Sequence, residues 1–347
     1  MRGWRMNKFC VWFFGAVFFV VFGAAHANGD FDFDRWDEIQ QNIRSSAAAD
    51  GVSQTTIDAT LKNPVFIPRI VYNDKNQSEF KLTMSEYLNR TTGATRVKTG
   101  REMAKKYPTL LNKTYNKYGV PKHVILAFWG MESNYGATKS AYKLKDAFFT
   151  LMYDGRREKF FTNQLLALMK IADKNKLDIN NIYGSWAGAM GHFQFIPTTL
   201  ATYGADGNAD GKIDIINNIS DAMFSAGNYL NKLGWNANEK IIQPVLIPYD
   251  FDSGLLNGKK KYSISDWSKI GVMNTDGSPL SRDATVVGIV GDTDADTSNQ
   301  NLVPSPDNDV VAGRVAYLTY PNFYRIKKWN NSNWYAIAIG VLSEKLK

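Results

Sequence analysis

The chain has 347 residues, 44% hydrophobic and 21% charged, with a formal net charge of +8. That is an ordinary globular composition, so chain-wide disorder and collagen-like repeats are excluded, and the length allows one large domain or two to three lobes. One cysteine, Cys10, excludes a disulfide framework and a cysteine-based metal site, three histidines leave little for a His-rich zinc site, and a lone apolar run excludes a polytopic membrane protein.

That run opens the chain. Arg2, Arg5 and Lys8 flank an almost wholly apolar stretch over 9–22, and Ala25-His26-Ala27 is a small-x-small site before Asn28. The pattern is that of a secretory signal peptide over residues 1–27, shorter than the about 18 residues a membrane span needs. The alternative is an uncleaved anchor. Cys10 opens the run instead of closing it, and Asn7-Lys8-Phe9 is no lipobox. Cleavage after Ala27 removes three basic residues and no acidic one, taking the net charge from +8 to +5. The expectation is a periplasmic protein with no stable membrane anchor. An anionic wall polymer suits it better than nucleic acid, since no basic run interleaved with aromatics is present.

Residues 31–60 read as helical, with Phe33, Trp36, Ile39 and Ile43 at helical spacing. Pro64 and Pro68 make 61–80 extended or loop. Helical patterning returns over 84–111, and Gly119 and Pro121 then form a stop and a start. Helices are expected onward to about residue 240. From Gln243 the chain is richer in Pro, Gly, Asp, Val and Thr. Alternating stretches at 261–265 and 284–290 predict a small β-rich lobe. The polar, acidic stretch 292–308 reads as a mobile loop, and 334–346 as a helix docking on the helical body. The expected organisation is a helical lobe over 28–100, a helical core over 101–242, a β-rich lobe over 243–325 and a C-terminal segment over 326–347.

Two segments carry candidate chemistry. In 121–136, Ile125, Phe128 and Glu132 fall on one helix face, so a carboxylate ends a core-facing apolar stripe. Partial desolvation and the negative helix terminus both raise a carboxyl pKa. A glutamic acid kept protonated near neutrality suits donation to a glycosidic oxygen. The alternative is a Glu reaching into solvent from a frayed end. In 184–197, Gly184, Gly188 and Gly191 with small neighbours let the backbone approach a ligand or another helix. Ser185 and Gln194 offer hydrogen bonds to sugar hydroxyl or amide groups. Tight helix packing explains the same glycines, and His192 alone is no sign of a metal.

Gly130-Met131-Glu132-Ser133-Asn134-Tyr135-Gly136, followed by the Gly-Ser-aromatic-Ala-Gly-Ala-Met-Gly run with its Gln-Phe-x-Pro ending, resembles the membrane-bound lytic murein transglycosylase B family. The resemblance continues through Asn228-Tyr229 and Gly234-Trp235, and resumes at Pro321-Asn322-Phe323-Tyr324 and from Trp329-Asn330 to Ala338. It implies a mainly α (α+β) fold: a lysozyme-like helical catalytic core, an extra helical lobe and a small β-rich lobe. It also implies cleavage of the MurNAc-β-1,4-GlcNAc bond of peptidoglycan, with one Glu acting as acid and then base to leave a 1,6-anhydro ring. No cofactor is implied for catalysis. Glu132 matches the catalytic position, and Ser185 and Gln194 match polar cleft residues. Tyr87, Tyr229, Asn330 and Tyr335 match further cleft positions by local pattern. Trp329 stands where the family commonly has Tyr, which keeps a stacking face and loses a hydroxyl. Family members are often lipoproteins; this chain lacks that signature. Protein partners are not indicated.

Asp206, Asn208, Asp210 and Asp214 provide oxygens at positions 1, 3, 5 and 9 of an EF-hand-type loop, with Gly211 at 6 and the Lys212 carbonyl at 7. Position 12 is Asn217 instead of the usual Glu, and the resemblance suggests that Asp221 closes a longer loop. The alternatives are a structural Ca2+ site and an Asp/Asn/Gly turn that holds no ion. For the whole chain, a hydrolysing muramidase using Asp146 or Asp154 as second carboxylate and a non-catalytic wall-binding protein also stay open.

Overall fold

The computed structural model describes residues 31–76, 82–292, 301–304 and 310–347. The expected signal peptide and most of the polar 292–308 stretch lie outside them.

The helical elements are α1 (Phe33–Ala49), α2 (Gln54–Leu61), α3 (Pro68–Lys75), α4 (Met84–Thr91), α5 (Ala94–Lys106), α6 (Pro108–Tyr118) and α7 (Lys122–Ser133), then α8 (Leu144–Asp154), α9 (Glu158–Asn175), α10 (Pro197–Tyr203) and α11 (Ile219–Lys232). Two short strands, β1 (Tyr142–Lys143) and β2 (Tyr183–Gly184), pair antiparallel. The remaining strands are β3 (Ile242–Ile247), β4 (Asn257–Ser263), β5 (Met273–Asn274), β6 (Val286–Gly291), β7 (Asn301–Pro304) and β8 (Val310–Thr319). The last helices are α12 (Ile264–Lys269), α13 (Pro321–Trp329) and α14 (Asn333–Lys345).

The helical reading of 31–60 becomes two helices, because the Ser53 hydroxyl accepts from Thr56 N–H and starts α2 afresh. The extended reading of 61–80 is corrected over α3. Pro68 sits at its first position, where the missing N–H costs nothing. The alternation at 261–265 ends at Ser263, whose side chain caps α12 by accepting from Asp266 N–H. The helical reading toward residue 240 stops at Lys232, where Gly234 adopts φ 85°. Within the stretch read as a mobile loop, Asn301–Pro304 is instead a strand paired with β8.

The chain divides into two units. One holds the described residues of Phe13–Phe80 with Glu132–Tyr229. Here α8 is buried from Leu144 to Met152, and α1, α3 and α9 pack on it. A helix buried on every side is a core element. Phe31, Trp36, Phe66 and Tyr153 form an aromatic cluster, with Phe31 stacked on Tyr153 at 4.7 Å. Buried Asp74 pairs with both Arg156 and Arg157, which satisfies its charge.

The other unit holds the described residues of Lys81–Met131 with Leu230–Lys347. Its antiparallel sheet runs β4-β6-β8-β3-β5, with β7 also on β8. Trp267 of α12 is fully buried beneath it and donates from Nε1 to the Val287 carbonyl at 2.9 Å. Val245, Ile247, Val287, Ile289 and Leu318 surround that ring in one core. Helix α14 is buried from Tyr335 to Gly340 and packs on α4, α13 and β3. At Gly340 a Cβ would lie 2.7 Å from the Ile242 side chain, so only glycine allows that approach. The β-rich character read for 243–325 and the helix read at 334–346 are both present.

Candidate active site

Helix α7 is preceded by Pro121, whose carbonyl accepts from Val124 and Ile125 N–H. Val124 through Trp129 are all buried, and Glu132 on the last turn is half-buried. The unit boundary falls directly after Met131, so Glu132 and the residues that follow it belong with 132–229.

The chain leaves α7 through a tight left-handed turn. Asn134, Tyr135 and Gly136 have φ of 49°, 59° and 84°. Two consecutive non-glycine residues in that region cost about 1–2 kcal/mol each. Ser133 holds the turn: its carbonyl accepts from Gly136 and Thr138 N–H at 3.1 and 3.0 Å, and its hydroxyl accepts from Gly136 N–H at 2.9 Å. The same hydroxyl donates to the His192 carbonyl at 2.7 Å.

That carbonyl lies inside the glycine-rich segment. Ser185 caps a small loop there, its N–H donating to Ala189 O and its hydroxyl accepting from Ala189 N–H at 3.0 Å. Met190 and Phe195 exchange both backbone hydrogen bonds. Gln194 sits at φ 48° on the turn between them, with Nε2 donating to Gly191 O at 2.9 Å. Ser185 and Gln194 are both half-buried. The glycines are there for packing. A Cβ on Gly188 would meet the Phe148 ring at 2.3 Å, one on Gly184 the Leu144 side chain at 2.4 Å, and one on Gly191 the Ile215 carbonyl at 2.5 Å.

Tyr229 on α11 joins this group through Phe195, at 6.0 Å between ring centroids, and stacks on Tyr203 at 4.3 Å. Burial, with Tyr203 beside it, pushes its phenol up to about 12, so it is a neutral donor across the physiological range. Tyr203 was not singled out by sequence; a partner 26 positions away leaves no local periodic signal. Burial holds the His192 imidazole below its ordinary value, opposed by Asp214.

The other unit carries the remaining expected residues. Trp329 lies 4.8 Å and Tyr335 6.2 Å from the Phe128 ring. Asn330 ends α13, and its N–H donates to Ile326 O. Tyr87 packs edge-on against Trp334 at 5.7 Å. Tyr87 and Tyr335 are buried, whereas Trp329 and Asn330 are half-buried.

The two carboxylates considered as water-activating partners are engaged otherwise. Buried Asp146 accepts from Val65 N–H at 3.1 Å, and Asp154 pairs with Lys75 at 2.7 Å.

In the 206–221 loop, Asp206 accepts from Ala209 and Gly211 N–H, Asp210 from Lys212 N–H, and Asp214 from Ile216 and Asn217 N–H. Asn208 donates to Asp210 at 2.8 Å. Asp221 is fully buried and joins the two ends of the loop, accepting from Gly207 and Asp214 N–H at 2.8 Å each. Burial raises its carboxyl pKa, and the charges of Asp206 and Asp210 add to this against those two hydrogen bonds. Among the described residues, no three His, Cys, Asp or Glu side chains converge as a metal-holding group.

A mainly helical, lysozyme-like body with a small antiparallel β lobe is the class this architecture defines. Residues 35–344 match the Transglycosylase SLT domain, and the chain belongs to that family. It is 30% identical over 240 residues to membrane-bound lytic murein transglycosylase B of Escherichia coli (strain K12), covering 69% of this chain and 60% of that relative. SltB3 from Pseudomonas aeruginosa, solved in complex with NAG-anhNAM-pentapeptide, is 31% identical with a TM-score of 0.79, over 90% of this chain and 79% of its own. Escherichia coli lytic transglycosylase Slt35 in complex with calcium is 25% identical with a TM-score of 0.74, over 89% and 92% of the two chains.

Proposed function

We propose that the chain is a lytic transglycosylase that cleaves the MurNAc-β-1,4-GlcNAc bond of peptidoglycan and leaves 1,6-anhydro-muramoyl ends. The observation that carries this is Glu132, half-buried at the end of a helix whose residues Val124–Trp129 are all buried. Burial at a helix C-terminus favours the protonated carboxyl that a leaving oxygen needs.

Glu132 donates its proton to the glycosidic oxygen as the bond from the muramoyl C1 breaks. The C6 hydroxyl of the same sugar attacks C1, and Glu132, now a carboxylate, takes the hydroxyl proton. One bond forms, one breaks, the acid is regenerated and no water is consumed. The substrate's N-acetyl group stabilises the positive anomeric carbon, the substrate-assisted exception to two-carboxylate catalysis. The engagement of Asp146 and Asp154 elsewhere favours this over hydrolysis, and the anhydro sugar bound by SltB3 is the product type it generates. Ser185, Gln194 and Tyr229 would hydrogen-bond the sugars; Tyr87, Trp329, Asn330 and Tyr335 would line further subsites. The segments read at 28–100, 101–242, 243–325 and 326–347 would be the functional divisions.

The protein is exported, with its signal peptide removed after Ala27, and acts in the periplasm on glycan strands. The 206–221 loop would hold Ca2+ through Asp206, Asn208, Asp210, the Lys212 carbonyl, Asp214 and Asp221. The hard-oxygen donor set supports this, and so does buried Asp221 with its raised pKa, a carboxylate that a cation would stabilise. The ion's role would be to brace the loop, and no proton-transfer step passes through it.

The test is digestion of purified sacculi with mass analysis of the muropeptides. Anhydro ends are expected from the wild type and from Asp146→Asn and Asp154→Asn. Glu132→Gln should lose cleavage by about 10²-fold or more while staying folded. Reducing ends would establish hydrolysis, and activity retained in Glu132→Gln would remove that residue from the chemistry.

A further inference from the structure

We infer that Ser133 is the positioning residue of Glu132, and that it acts by tying the end of α7 to the His192 carbonyl. This rests on the proposed role of Glu132 and adds the device that holds it. Ser133 is 2% exposed, so its hydroxyl has no solvent alternative. It uses both of its capacities, donating to His192 O at 2.7 Å and accepting from Gly136 N–H at 2.9 Å. The first bond spans 59 residues and joins the glutamate's own turn to the segment that carries Ser185 and Gln194. The second closes the left-handed turn, so α7 cannot fray beyond Glu132 without breaking it.

The anchor itself is rigid. His192 N–H donates to Ile215 O at 3.3 Å. Gly191 packs so closely on that carbonyl that a Cβ would sit 2.5 Å from it. The Gln194 side chain closes on Gly191 O at 2.9 Å. The His192 carbonyl is thus held between two fixed neighbours, and Ser133 transmits that position to the glutamate's backbone. A proton donor has to meet the leaving oxygen within a few tenths of an ångström, and misplacement by about 1 Å costs roughly a hundredfold.

The experiment compares Ser133→Ala, Ser133→Cys and Gly191→Ala with wild type and with Glu132→Gln on solubilised glycan strands. Each variant is first shown to be folded by circular dichroism and thermal melting. Ser133→Ala should lower kcat roughly tenfold to a hundredfold with KM within about twofold, because sugar contacts stay while the acid drifts. The high-pH limb of its pH–rate profile, where the donor loses its proton, should also move, which simple loss of stability would not do. Ser133→Cys, a weaker donor of similar shape, should fall between the two. Gly191→Ala, which displaces the anchor from its other side, should reproduce the kcat loss. A folded Ser133→Ala with wild-type kcat and pH profile overturns the inference, as does a loss confined to KM. Activity in Glu132→Gln would sink the parent reading instead, whatever Ser133→Ala does.

Discussion

Two loops of the same unit are both rich in glycine, and they are held in different ways. In 184–191, each of Gly184, Gly188 and Gly191 lies where a Cβ would strike a neighbour at 2.3–2.5 Å. In 206–211, a Cβ on Gly207 would meet the Ser220 carbonyl of the same loop at 2.3 Å, whereas Gly211 has nothing within 4 Å and only its φ of 83° favours glycine. The first loop is shaped by packing from outside. The second is shaped from within, by Asp side chains gripping backbone N–H groups. A packed segment should keep its form at any calcium level, whereas the proposed calcium loop should gain order when a cation binds.

The largest effect is expected at Gly188. Gly188→Ala combines a collision with the Phe148 ring and a φ of 95°. It should destabilise by about 3 kcal/mol, a Tm drop of roughly 4–5 °C for a chain of this size. A drop under about 2 °C by calorimetry would show that the first loop yields easily. Asp221→Asn comes next, at about 1–3 kcal/mol, because an amide offers one oxygen where the carboxylate serves Gly207 and Asp214 with two. Calcium at about a hundredfold over its Kd should stabilise the wild type by about 2.7 kcal/mol. Gly188→Ala should keep that response and Asp221→Asn should lose it. Equal responses in the two variants would erase the contrast between the loops.

Gly211→Ala should cost only about 1 kcal/mol, the conformational term alone. The smallest effect is with pH. Burial holds His123 and His192 below their ordinary value of 6.5. The unfolded chain therefore binds more protons in that range, and stability is full above 6.5 and declines as pH falls through and below it. Asp221 acts with the opposite sign: its folded pKa is raised above 3.8, so its contribution is present below 3.8 and lost as pH rises through the folded value. Melting between pH 7 and 5 should show the histidine slope, and His192→Gln should flatten it.

Much of the candidate site was legible because its signals are local. The stripe of Ile125, Phe128 and Glu132 fixed a carboxylate at a helix end, and Val124–Trp129 are indeed buried. The turn after it was marked by Asn134 and Gly136. The packing reading of Gly184, Gly188 and Gly191 stands beside the ligand reading, and their close neighbours support packing. Asp146 and Asp154 looked like spare carboxylates by position alone; Val65 N–H and Lys75, about eighty residues away in the chain, give them other work. The helix at Pro68 has no clear sequence signal, because a proline that reads as a breaker serves there as a first residue. The helix after Ser263 was missed because a cap and an alternating strand share one stretch of residues.

The sequence by itself determined which broad stretches are helical and which β-rich, which glutamate ends an apolar helix face, and where oxygen donors recur at calcium-loop spacing. These follow from periodicities and caps written within a few residues. Only the tertiary structure decided what holds Ser133, why Gly191 has no side chain, and which carboxylates are already occupied. Those depend on partners tens of residues distant, brought together by burial of the core, and no local pattern encodes such a meeting.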